Sequence, residues 1–140
     1  MTLTNCTPAS STSTDTYYYD TSYAALGFIA SSGGYGVYPT PRAVPSTVRV
    51  GDSGIVGTYT HYTDSTKSVA DGSAELSYLV EADTADTAIL NLVTKRYDQS
   101  SRLLRTTNAR GRIDAAGTLT RVSIDIQYAT TSTTHLVFRR

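Results

Sequence analysis

The chain has no tryptophan, two phenylalanines, one methionine, two lysines and a single cysteine among 140 residues. One cysteine excludes an intrachain disulfide, so the fold must rest on packing and hydrogen bonding. The formal net charge is zero, which removes the general electrostatic case for a nucleic-acid binder or a polybasic membrane-surface protein; no nucleic-acid partner is expected. No apolar run approaches the roughly 18 residues of a membrane-spanning helix. The only histidines, His61 and His135, have no second ligand at a diagnostic spacing, so neither metal nor cofactor is expected.

What is present is 24 threonines, 16 serines and 11 tyrosines. Thr and Tyr suit pleated, half-buried surfaces, which points to an all-β class. The length suits one domain with one core. Abundant Ser and Thr with sparse Lys is a texture of exported bacterial proteins, so a periplasmic or cell-surface location is expected.

The clearest alternation runs over residues 118–129, where Val122, Ile124, Ile126 and Tyr128 share one strand face and Arg121, Ser123, Asp125 and Gln127 the other. Further strands are predicted at 47–50, 55–63, 73–82, 87–97, 102–113 and 133–139. Asp71-Gly72, the polar run 98–101 and Asp114-Ala115-Ala116-Gly117 are predicted turns. Short turns force antiparallel neighbours, so the last five strands form a meander that closes as a small barrel or stacks as a two-layer sandwich. Ala74, Leu76, Tyr78 and Val80 form one inward face, continued by Ala88, Leu90 and Leu92 and by Leu136 and Phe138. Ile89 and Val93 ask for cover on the other side, from a second layer or from the apolar island 23–30.

Of the 28 Leu, Ile, Val and Phe residues, 23 lie from Val44 onward. The chain therefore divides into a Thr/Ser/Tyr/Gly-rich arm or linker, 1–43, and a β domain, 44–140. Within the arm, residues 31–45 carry Gly33, Gly34 and Gly36 and three prolines and read as loop. Leu3 and Cys6 are spaced as in the cleavage box of bacterial lipoproteins, although Asn5 stands where a small residue belongs. That resemblance covers four residues and implies a lipidated Cys6, the one route by which membrane contact is expected. Asn5-Cys6-Thr7 also fits the N-glycosylation pattern.

Charge is unevenly placed: residues 1–94 hold 3 basic and 9 acidic side chains, and residues 95–140 hold 9 basic and 3 acidic. Arg105, Arg110, Arg112 and Arg121 are the candidate patch for an anion or an acidic partner. The plainer reading pairs these arginines with Glu75, Glu81, Asp83 and Asp86 on neighbouring strands. Both histidines read as surface or hydrogen-bonded structural residues. Gly51-Asp52-Ser53-Gly54 resembles the residues around the nucleophile of chymotrypsin-like serine proteases. Ile55, however, stands where that family has a glycine, and no histidine precedes Ser53, so the tetrapeptide is read as a turn.

No catalytic constellation emerges, and a binding or structural role with an unidentified protein or envelope partner is expected. Two alternatives stay open. One is a small barrel carrying an apolar ligand, lined by Tyr59, Tyr62, Tyr78, Tyr97 and Tyr128. The other is a homo-oligomer assembled through the arm.

Overall fold

The computed structural model describes residues 13–43, 45–129 and 135–139. These form nine strands: β1 (Thr16–Tyr19), β2 (Ala25–Ile29), β3 (Tyr35–Val37), β4 (Ser53–Tyr62), β5 (Ala70–Ala82), β6 (Thr87–Tyr97), β7 (Leu103–Asp114), β8 (Leu119–Tyr128) and β9 (His135–Arg139). All lie in one antiparallel sheet in chain order, each strand paired with its sequence neighbours. The meander is therefore real, but among the described residues it is one sheet that neither closes into a barrel nor stacks as a sandwich. Appreciable packing is confined to adjacent strands.

The segment expected as an arm contributes strands. β3 lies inside the predicted loop 31–45, and the apolar island forms β2, which lengthens the sheet rather than covering it. Only three residues of β3 pair, so the Gly and Pro density limited the strand without abolishing it. Residues 47–50, predicted as a strand, are instead bend, turn and irregular backbone leading to Gly51 at φ 94°. Of the Gly51 to Gly54 tetrapeptide, read as a turn, Gly51 and Asp52 lie at the turn, with Asp52 Oδ2 accepting the Arg49 N–H at 2.7 Å, while Ser53 and Gly54 already pair as the first residues of β4.

One turn design recurs. At Asp20, Asp98 and Asp114 the carboxylate accepts the backbone N–H two and four residues on, at 2.8 to 2.9 Å. The residue three positions on takes a positive φ: Tyr23 62°, Ser101 61° and Gly117 83°. A type I turn with a left-handed residue matches the twist of a hairpin, and the aspartate holds N–H groups that the ladder leaves free. The Ser22 hydroxyl, with the Ala24 N–H behind it, holds the Asp20 carboxyl below the ordinary carboxylate range, and the Arg102 N–H does the same for Asp98.

Register gives the sheet two unlike faces. The apolar face carries Phe28, Tyr59, Leu76, Val80, Leu92 and Ile126; the polar face carries Glu75, Glu81, Lys95, Asn108, Arg110 and Asp125. Ala74, Leu76, Tyr78 and Val80 share the apolar face with Leu90, Leu92, Leu136 and Phe138, as their alternation requires. Few apolar side chains are fully buried among the described residues: Ala24, Tyr38, Val56, Ala74 and Val80. A single layer leaves most of the others half covered.

Candidate functional site

The densest chemistry lies on the apolar face where β1 to β7 meet. Glycine in a strand leaves a hollow, and here rings from neighbouring strands fill the hollows. A Cβ on Gly36 would stand 2.1 Å from the Phe28 ring, and one on Gly57 would stand 2.9 Å from the Tyr38 ring. Seated this way, the rings gather. Phe28 meets Tyr59 edge to face at 5.1 Å and 88°, Tyr38 meets Tyr59 at 5.1 Å, and Tyr17 meets Phe28 at 5.6 Å. Such geometry is the favoured one for aromatic quadrupoles. Burial pushes the Tyr38 and Tyr59 hydroxyls up, while Arg96 and Arg105 pull Tyr59 partly back.

His61 borders this cluster, 6.3 Å from Phe28. Opposite it β5 carries two residues, Asp71 and Gly72, where β4 has one: Thr60 pairs Ser73, but Tyr62 pairs Ala70. This is a bulge, with Gly72 at φ 99°. Strict alternation would send Asp71 to the polar face with Ser73. The extra residue turns it to the apolar face, where Oδ2 accepts from Arg96 at 2.7 Å. The predicted Asp71-Gly72 hairpin turn is thus corrected to a bulge within β5.

Arg96 also donates to the Asp71 carbonyl at 3.1 Å and meets His61 Nδ1 at 3.1 Å. A guanidinium has only donors, so Nδ1 accepts and the ring proton sits on Nε2. Burial is the first cause, and Arg96 the second, that lowers the His61 pKa below its ordinary value; Asp71 opposes them. Asp71 Oδ2 lies 3.4 Å from Nδ1, a contact that becomes an ion pair only when the ring is protonated. Asp64, the carboxylate nearest His61 in sequence, instead holds its own turn through Thr66.

The four candidate arginines do not form one patch. Arg110 and Arg112 lie on the polar face and Arg105 on the apolar one, because their positions along β7 differ in parity; Arg121, expected on the polar face with Ser123, joins the apolar face because a bulge at Val122 reverses the alternation of β8. Arg112 holds Asp83 through two nitrogens, at 2.6 and 3.4 Å, and Arg110 lies 3.5 Å from Glu81. These are the cross-strand charge partners of the plainer reading. Arg105 has no ion pair or side-chain hydrogen bond among the described residues and stands directly opposite Arg96. The candidate cavity tyrosines divide likewise: Tyr59, Tyr78 and Tyr128 lie on the apolar face, Tyr62 and Tyr97 on the polar one. Among the described residues the open sheet encloses no interior for them to line. Cys6 lies outside the described residues.

On the polar face Asn91, 3% exposed, donates to Glu81 and Asn108, and His135 Nε2 lies 2.9 Å from Asp125. Asn91 Oδ1 and Arg110 Nε are buried without a hydrogen-bond partner among the described residues. No group of three or more His, Cys, Asp or Glu side chains gathers as a metal site there. Asp71 and Arg96 escaped the sequence reading; the one signal for them was Asp71-Gly72, which equally marks a turn. Comparison with known proteins finds no matching family model, curated protein or solved structure.

Proposed function

We propose that this chain is a non-catalytic, exported β-domain protein of the bacterial envelope or surface that acts by binding through the apolar face of its sheet. The carrying observation is that no second layer packs on that face among the described residues, although Leu76, Leu90, Leu92, Ile124, Ile126 and Leu136 lie on it in register. A water-exposed apolar sheet face is a binding surface by default. Supporting the non-catalytic part, His61 accepts from an arginine already committed to Asp71, and His135 is tied to Asp125. The exported location rests on composition, and cell fractionation tests it. An apolar reporter dye tests the face: native chain should enhance its fluorescence several-fold, and an untouched dye with a monomeric, folded chain would overturn the reading.

A second reading, self-association through the N-terminal strands, has its own observation. Edge strand β1 exposes Tyr17, Tyr18 and Tyr19 by 46 to 55%, an open ladder beside bare rings. Changing Tyr18 to Lys should lower the solution mass if that edge assembles copies, and an unchanged mass removes it.

A further inference from the structure

Along β7 the apolar face is low. Thr107, Ala109 and Gly111 are its side chains there, while Leu90 and Leu92 on β6 and Ile124 and Ile126 on β8 stand higher beside them. Small residues between rows of large ones make a trough. Over the six residue steps from Arg105 to Gly111 it runs about 20 Å. At the Gly111 end, where the Leu119 side chain lies over the glycine, it opens into a hollow of about 260 Å³ lined by Leu90, Leu92, Ala109, Leu119, Arg110 and Arg121.

Arg105 stands at the other end, in register with Arg96 on one side and Tyr128 on the other. Like charges placed directly opposite one another in a sheet oppose folding. Asp71 balances Arg96, and nothing described balances Arg105. One half-buried guanidinium, uncompensated by one unit, heads an apolar channel. Its planar fork fits a carboxylate, and a single net positive charge suits a monoanion better than a dianion.

We infer that the trough over β7 holds a single-chain amphiphile with a monoanionic carboxylate head, the head on Arg105 and the hydrocarbon tail between Leu92 and Ile124 toward the hollow at Gly111. This rests on the apolar face being a binding surface, and it supplies the occupant. Tyr59 lies in the same cross-strand row as Arg105, through Ala74 and Arg96, on the aromatic side of the head end. No enclosed barrel is needed, because the walls come from the unequal heights of neighbouring strands.

The test is calorimetric titration of the full chain with laurate below its micelle-forming concentration, beside dodecanol and acetate. Laurate should bind, and dodecanol, or laurate on Arg105→Gln, should bind about 10- to 100-fold more weakly, the worth of a charge-assisted contact. Arg102→Gln, which removes an equal charge from an exposed hairpin, should bind laurate unchanged. In the absence of ligand Arg105→Gln should melt about 2 °C higher, since it relieves the opposition of Arg96; a residue placed for stability would do the reverse. Equal binding of laurate and dodecanol overturns the headgroup assignment and leaves the face standing, as does a loss confined to Arg121→Gln. Acetate binding as tightly as laurate overturns the tail. Silence from laurate, dodecanol and the apolar dye together brings down the binding face itself. Should Arg105→Gln fail to fold, laurate against dodecanol on the native chain decides the matter.

Discussion

At the scale of single residues, His61 shows how a ring placed for packing acquires a pH dependence. Its folded-state pKa lies below the ordinary value because burial and Arg96 both disfavour the imidazolium. Unfolded chain then binds the proton more readily. The stability contributed by neutral His61 is complete above about pH 6.5 and is lost as pH falls from there through the lower folded value. On protonation Nδ1 ceases to accept from Arg96 and turns donor toward Asp71, 3.4 Å away. Thermal midpoints at pH 7.5 and 5.5 should therefore fall for the native chain and stay level for His61→Gln. The lowered turn and ion-pair carboxylates, Asp20, Asp64, Asp83 and Asp98, do not confuse this window, since their contribution is lost only below about pH 4. An equal slope in both proteins would place the titration elsewhere.

Among elements, the repeated aspartate turn permits a reciprocal exchange. Ser101 and Gly117 occupy the same position of two like hairpins, at φ 61° and 83°. A side chain there costs roughly 1 kcal/mol against glycine, partly offset by the freedom glycine has in the unfolded chain. Ser101→Gly should gain about 0.5 kcal/mol and Gly117→Ser should lose about 1 kcal/mol in denaturant melts. Nothing stands within 4 Å of a Cβ built on Gly117, so the loss is backbone strain alone. Gly72→Ala should cost more, since its Cβ would lie 2.1 Å from the Tyr97 carbonyl oxygen across the ladder. These elements also mark how far the sequence could be read. β6 falls on the predicted residues 87–97, and the turns at Asp98 and Asp114 stand where their polar runs place them. Alternation alone does not show a bulge: two residues facing one reverse the parity of everything before them, which hid the meeting of Asp71, His61 and Arg96. Parity did hold the information that splits Arg105 from Arg110. It places Arg121 beside Ser123 on the polar face, however, and the bulge at Val122 turns Arg121 to the apolar one. β1 and β3 were invisible for another reason. Their strand character depends on pairing with β2 and β4, and short Tyr- and Gly-rich segments carry little of it locally.

For the molecule as a whole, a sheet whose strands pack only on their neighbours should behave almost one-dimensionally, with protection graded from centre to edge. Amide exchange should be slowest in β5, β6 and β7, which share the longest ladders, and fastest in β1 and β9. A flat profile would mean that another layer holds the sheet. The same logic sets the expected result of removing the residues before Val44. That cut takes β1 to β3, bares the outer edge of β4, and strips Phe28 and Tyr38 from Tyr59. An uncovered β4 edge beside an uncovered ring invites pairing between chains. The shortened chain should melt at lower temperature and show a larger mass by light scattering than the full chain at equal concentration. If the full chain is instead the oligomer and the shortened chain a folded monomer, assembly resides in β1 to β3. The N-terminal strands then serve neighbours, and the apolar face of β5 to β8 would meet a second copy of the chain before it met a ligand.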